Sequence, residues 1–543
     1  MKKRIISILL VFGMVLSAFT GCGKTEDTQS DGMSEKVTLT VGIPQSANVT
    51  DYDNNAFTKY LEENLNINIE FSFFSSSASE YMQQLALMCT ANEELPDVLI
   101  GFHDMGHYNV KRYGQDGYFQ DLTDLIDKYG KYYKEQYENL DDNMKEYIQD
   151  KGTDPVTGGF YGMPMVCVTL PDDMQNMMYI NKEWLKAVNM EAPTNVEELY
   201  NVLKAFKEQD PNGNGQADEI PMVSRTNGAS YDITCYIINA FVYYDMANPY
   251  NATNGKVWSA YTSDEYRQAL VYMNKLVKEG LLSDLSFSMN ALSDFRALIT
   301  PADDVARVGI WSGHPSIMSN AKTKILDQYT ALHGLGDATG KGGYEVVDPD
   351  SAIFNSFITK DCDNTEAAMK LLDFFYKDET LKRARHGEKD VDWKEEEGIS
   401  ELGGEGSVRV INDSAFFNGN STWCLNGCSI MNIKNYIALK TEGQGRQAEI
   451  SRLVGETNDF MKAAEKPKEV VHSLSYTFEE YETRDEKSGV HGAYIREQRN
   501  LFAVGEKNPN SDADWNEYLK NLEKLGESEL LKIAQSAYSR KSK

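Results

Sequence analysis

The chain has 543 residues, 41% of them apolar and 25% charged, which excludes a disordered or fibrous class. It is too long for one ordinary core, so two or more lobes are expected. Its net charge of −29, from 54 Lys and Arg against 83 Asp and Glu, excludes nucleic acid as a partner, because phosphate binding needs a basic patch.

At the amino end, Lys2, Lys3 and Arg4 precede an uncharged, mostly apolar run from Ile5 to Thr20. The run is marginal for a bilayer span and fits a cleaved export signal better. Gly21-Cys22 and a polar stretch to Lys36 follow. A small residue before a cysteine at this place resembles the lipobox of bacterial lipoproteins, although Phe19 stands where a leucine is usual. That resemblance implies residues 1–21 as signal, Cys22 as the lipid-anchor residue, and residues 22–36 as a flexible tether to the membrane. Six other cysteines are scattered; only Cys424 and Cys428 are close, and nothing completes a zinc pattern. They read as small buried apolar side chains, with a disulfide left open.

The body opens with alternation at Val37, Leu39, Val41 and Ile43, a strand pattern. Phe57, Tyr60, Leu61 and Leu65 recur at helical spacing; Ile67, Ile69, Phe71 and Phe73 alternate again; Tyr81, Met82, Leu85 and Met88 give a second helix before the run Val98 to Ile100. This β-α-β-α-β rhythm predicts a parallel sheet covered by helices, with ligands beyond the carboxyl ends of the strands. The loops Pro44 to Asn54 and Phe102 to Asn109 should then border a cleft. Capping-box spacings at Thr194/Glu197 and Thr262/Glu265 predict two more helices, the second closed by Gly280. Another is expected over Thr365 to Tyr376, and two at the end, Trp515 to Leu525 and Ser528 to Tyr538. Gly387 to Ser407 reads as a long surface loop.

The most specific internal motif runs from Asp210 to Glu219. Oxygen-bearing Asp210, Asn212 and Asn214 occupy positions one, three and five, and Gly215 stands at six, matching the start of an EF-hand calcium loop. Gln216 would lend its backbone carbonyl, and Asp218 and Glu219 their carboxylates, since Pro221 replaces the usual glutamate at twelve. Ca²⁺ is favoured over softer metals, in a structural role. Sugar binding calls for aromatic rings in polar, Gly-rich loops: Tyr161, Trp311 and Trp423 are candidates, with Asp172 and His103 for hydroxyl groups. Trp184 and Trp515 sit in helical patterns and read as core. No hydrolase elbow, zinc-protease motif or Walker loop is present, and Glu479 to Glu482 reads as a solvated face.

Several segments together resemble the family 1 extracellular solute-binding lipoproteins of Gram-positive carbohydrate ABC importers. They are Glu94-Leu-Pro-Asp97-Val, Gly159-Phe-Tyr-Gly-Met-Pro164, Tyr179-Ile-Asn-Lys-Glu-Trp-Leu185, Ala192 to Pro221, Lys278-Glu-Gly-Leu281 and Leu530 to Tyr538. The calcium loop is similar to that of the alginate-binding members. The resemblance implies an α/β, two-lobed periplasmic-binding-protein-like (type II) fold with hinge crossings. The expected division is 37–165 in the first lobe, 166–340 in the second, 341–400 back in the first and 401–543 back in the second. It implies a monomer that holds an oligosaccharide between its lobes for ABC permease subunits, without catalysis. A secreted glycan hydrolase or lyase, or a surface sensor presenting its ligand, are the alternatives.

Overall fold

A computed structural model describes residues 36–541, apart from 141, 168–176, 226–231, 247, 290, 319–324, 345–351, 399–407, 413–414, 416–419, 425, 432–438, 441–451 and parts of 458–475. Cys22 and Asp172 lie outside the described residues.

The alternating runs form the strands and helices expected. β1 (Val37–Pro44), α1 (Ala56–Leu65), β2 (Ile67–Phe74), α2 (Ala78–Ala91) and β3 (Val98–Ile100) follow one another, then α3 (Gly106–Gln115) and β4 (Met163–Cys167). Asn55 caps α1 by accepting from the Phe57 amide at 2.9 Å, and Asn66 ends it in the left-handed region. A helix after each strand returns the chain to the same edge, so β1 pairs in parallel with both β2 and β3.

The chain then builds a second sheet from β5 (Met178–Asn181), α4 (Val196–Glu208), β6 (Ile220–Met222), α5 (Ile233–Ile238), α6 (Asp264–Lys278), β7 (Val308–Ser312) and β8 (Tyr329–Ala331). Two caps sit one residue later than the spacing predicted. Asn195 caps α4 while Thr194 bonds Glu198, and Ser263 caps α6. In both cases the residue directly before the helix accepts from amides of the first turn, and Asn and Ser are favoured over Thr there.

The return to the first lobe brings β9 (Ala352–Ile358), α7 (Thr365–Phe374) and β10 (Ser429–Met431). The first sheet has the order β10-β4-β9-β3-β1-β2, with β9 antiparallel to β3 and β4, and the second the order β8-β5-β7-β6. β10 pairs with β4 and Trp423 packs in the first core, so these residues, although beyond 401, lie with the first sheet. Gly387 to Ser407 is not simply a surface loop: Trp393 is fully buried, its Nε1 donates to Gly387 O at 2.9 Å, and Trp393–Lys394 pairs with Val408–Val410.

The chain ends in α8 (Phe478–Val504), α9 (Asp512–Lys524) and α10 (Glu527–Lys541). Ile495, Phe502, Trp515, Tyr518 and Leu522 pack with Leu270, Met273 and Leu276 of α6 in the second core. That core is distinct from the one formed by Leu39, Val41, Ile43, Leu85, Leu99, Phe357 and Leu372. Both belong to one compact unit beginning at Val37. None of the described cysteines Cys89, Cys235, Cys362, Cys424 and Cys428 forms a disulfide, and all but Cys424 are buried. Among the described residues no helix is long and apolar enough to cross a membrane.

Candidate functional site

The carboxyl ends of β1, β2 and β3 lie side by side, as parallel pairing dictates, and the loops expected there meet at one edge of the first sheet. Gln45 N donates to Phe74 O at 3.0 Å, and Tyr52 OH accepts from Ser46 N at 3.0 Å. From the other side of the chain comes Asn426, whose Nδ2 donates to Pro44 O at 3.3 Å. Gly101, at φ 86°, lets Asn426 approach: a Cβ there would stand 2.8 Å from its Oδ1.

His103 sits between two amides. Its Nε2 is 3.3 Å from Asn426 Oδ1, and its Nδ1 is 3.3 Å from Asn355 Nδ2. Asn355 also donates to Gly427 O at 3.0 Å and accepts from the Gly101 and Phe102 amides through its backbone. This pattern fits the Nε2–H tautomer, with Asn426 accepting and Asn355 donating. Burial holds the imidazole pKa below its ordinary value, so His103 is neutral at neutral pH. Beside it, exposed Asp104 accepts from Tyr81 OH at 2.9 Å. The result is a pair of neutral polar groups at the sheet edge, Asn426 and His103, fixed from within by buried Asn355 and suited to polar, uncharged ligand groups. On the facing lobe, Ser224 at the end of β6 bonds Ser312 at the end of β7 through their hydroxyls at 2.5 Å.

Of the proposed ligand residues that the structure describes, His103 is the one at this edge. Trp423 is 1% exposed and its Nε1 donates to Thr58 Oγ1 at 2.8 Å beneath α1, so it is core. Trp311 is fully buried on β7, its ring 4.6 Å from that of Tyr179. Tyr161 bonds Thr157 at 2.8 Å and packs on Gly114, at the amino end of β4 and so at the opposite end of the sheet. Gly114 and Gly159 make room for the Tyr161 ring, and none of the three rings is exposed despite its Gly-rich sequence. His107, four residues after His103, lies in the first turn of α3, and burial with nearby Lys151 and Lys111 pushes its pKa down to about 4.

The loop at the end of α4 folds on itself. Asp210, at φ 47°, accepts from the Asn214 amide at 3.2 Å and the Gly215 amide at 3.0 Å. Asn212 and Asn214 both direct Nδ2 to Asp218, which also binds Arg307 Nε at 2.8 Å. Against the cost of burial, these bonds hold the Asp218 carboxyl below its usual range. Glu219 differs: burial, with Asp210 and Asp218 nearby, raises its pKa, and its Oε1 is buried without a partner. Carboxylates gathered around an unpartnered buried oxygen fit a cation. Among the described residues no three His, Cys, Asp or Glu side chains cluster as metal ligands, so amide and backbone oxygens would have to complete the set. Gln216 points its side chain to solvent, leaving only its carbonyl to contribute.

The lobes also touch away from this edge. Tyr108 of α3 stacks on Tyr481 of α8 with centroids 4.1 Å apart and planes at 7°, and its hydroxyl donates to Glu482 at 3.1 Å. The adjoining cavity of about 100 Å³ is lined by His107, Lys111, Lys151, Leu474, Tyr476 and Tyr481. Sequence reasoning missed α8 altogether. Its buried face mixes polar His491, Gln498 and Arg499 with Ile495, Phe502 and Ala503, which blurs the helical period; the capping box at Thr477 and Glu480 was the available signal.

Residues 46–382 match the family described as bacterial extracellular solute-binding protein, well over half of the chain. The chain belongs to this family. It is 25% identical over 574 aligned positions to the fructooligosaccharide ABC transporter substrate-binding protein FusA of Streptococcus pneumoniae serotype 4, covering 98% of this chain and 97% of FusA. Lipoprotein LipO of Bacillus subtilis is 26% identical over 288 residues, 52% of this chain, which thus spans about half of LipO, 51% of its length. Among solved structures, an "HMO binding" ABC-transporter-associated solute-binding protein from Bifidobacterium longum infantis superposes with a TM-score of 0.74 at 22% identity, covering 93% of this chain and 99% of that one. The two-lobed fold of this solute-binding family is therefore the fold here, and the protein is an extracellular solute-binding protein.

Proposed function

We propose that the protein captures an oligosaccharide between its lobes and delivers it to an ABC permease, without altering it. The observation that carries this reading is the pair of neutral polar groups at the cleft edge of the first sheet, Asn426 and His103, held in place by buried Asn355. Such groups suit hydroxyls, which donate and accept but carry no charge. FusA, similar along its whole length, is named as a fructooligosaccharide-binding component of such a transporter.

Cys22 would carry the lipid that holds the protein at the outer face of the membrane, with residues 22–36 as tether. The LipO name supports this. Calcium would bind oxygen atoms of Asp210, Asn212, Asn214, Asp218 and Glu219 and the carbonyl of Gln216, neutralising the crowded carboxylates and pinning the end of α4. A FusA structure described as an EF-hand mutant supports a comparable loop in that relative.

The test is a thermal-denaturation screen against purified fructo-, malto-, xylo- and galacturono-oligosaccharides of two to six units, each followed by chromatography of the mixture. A ligand present at a hundred times its Kd stabilises by about 2.7 kcal/mol. A rise in Tm with the sugar recovered intact is expected; turnover of any glycan, or no response across the panel, would overturn the reading.

A further inference from the structure

We infer that Phe73, with Phe71 and Tyr52 behind it, is an accessory stacking subsite that holds an outer ring of a bound oligosaccharide at the open edge of the first sheet. This rests on the carbohydrate reading above and adds a chain-length preference to it. Among the described residues with large, exposed apolar side chains, Phe73 is the only aromatic, at 46% exposed. Single exposed apolar residues are ordinary on any surface. This ring is not single: it lies parallel to Phe71, with centroids 5.8 Å apart and planes at 10°, and 5.2 Å from Tyr52.

The platform is rigid from below. Phe71 packs edge-on against buried Trp423 at 5.4 Å, and Tyr52 is 4% exposed with its hydroxyl fixed by the Ser46 amide. Its exposure has a simple origin. Ile67 and Ile69 on the same face of β2 are buried, and the apolar alternation continues two steps further, to Phe71 and Phe73, beyond the cover. A sequence with only folding in view would turn polar there.

Its position selects the occupant. Phe73 pairs in register with Ile43, one residue before the carboxyl end of β1, so it stands at the end of the sheet that carries His103 and Asn426. β2 is the edge strand, so no further strand flanks the ring among the described residues. Gln45, exposed and bonded through its amide to Phe74, and exposed Asn48 supply polar groups beside it. A sugar presents a face of C–H groups to an aromatic ring and a rim of hydroxyls to amides. A chain leaving the cleft along this edge would lay an outer ring on Phe73, while a short ligand would not reach it.

The experiment compares calorimetric Kd values of the wild type and Phe73→Ala for each length of the oligosaccharide series that stabilises the wild type in the panel above. Circular dichroism checks that the variant folds, and Phe73→Trp serves as the conservative variant. Expected is an unchanged Kd for the shortest ligand bound, a loss of about three- to tenfold for longer members, and recovery in Phe73→Trp. Equal Kd values at every length, or an equal loss at every length, would overturn the subsite while leaving the function intact. A wild type that binds no member of the panel would overturn the carbohydrate reading itself and the subsite with it.

Discussion

Replacing Asp232 by asparagine should be the most damaging conservative change in the second lobe. Arg499 of α8 is 1% exposed, and its Nη2 lies 2.9 Å from Asp232 Oδ2. Its Nε and Nη1 have no hydrogen-bond partner among the described residues. Burial works against the charge, yet the Asp232 carboxylate keeps the guanidinium pKa above its ordinary value. Asp232→Asn leaves that cation buried without a counter-charge, which costs about 3–5 kcal/mol. Arg499→Met should cost less, about 1–3 kcal/mol. The carboxylate would keep the Thr234 amide at 3.0 Å and the Thr234 hydroxyl, and it caps α5, where the helix dipole favours a negative charge. The double variant should be more stable than Asp232→Asn alone. Urea unfolding reads each as a lower midpoint at constant slope. Equal losses from the two single changes, or a silent Asp232→Asn, would refute the assignment of the cost to an orphaned cation.

Without calcium, stability should fall as pH rises above 4.5. The folded state holds Glu219 protonated to a higher pH than the unfolded chain does, so the stability its proton lends is lost as pH climbs through the raised folded value. Calcium should remove that slope, and Glu219→Gln should remove both the slope and the calcium response, read by thermal melts with and without chelator. A double-mutant cycle on Tyr108 and Tyr481 should give a coupling of about 0.5–1.5 kcal/mol, measured by urea unfolding; zero coupling would mean the stack adds nothing. Trp423→Phe should cost about 1–3 kcal/mol through its lost bond to Thr58 and the space left behind, with the Kd of the shortest ligand unchanged. Cys22→Ser should move the protein from the membrane fraction to the medium, read by immunoblot.

The first sheet was legible because period-two and helical patterns each mark one buried face. Val37 to Ile43 and Ile67 to Phe73 became parallel neighbours in register. β9 and β10 were not legible, since pairing across hundreds of residues leaves no local mark. Of the residues expected at a ligand, His103 was placed at the sheet edge by its position after β3, a topological argument that does not depend on exposure. The burial of Tyr161, Trp311 and Trp423 was not legible, because a Gly-rich neighbourhood occurs inside a core as well as in an exposed loop. Phe73 was visible only as a strand residue. Its exposure is set by where the cover of β2 ends, which no local pattern records.

The 27-residue α8 is about 40 Å long and carries side chains into one half of the molecule while leaning Tyr481 on the other. Synthesis runs from the amino end, so the strands of the second sheet emerge long before Ile495, Arg499, Phe502 and Trp515, which finish their core. Until those last residues appear, α6 has an uncovered apolar flank and the pair of Arg499 with Asp232 is unmade. The second core is thereby completed only once the final helices have been made.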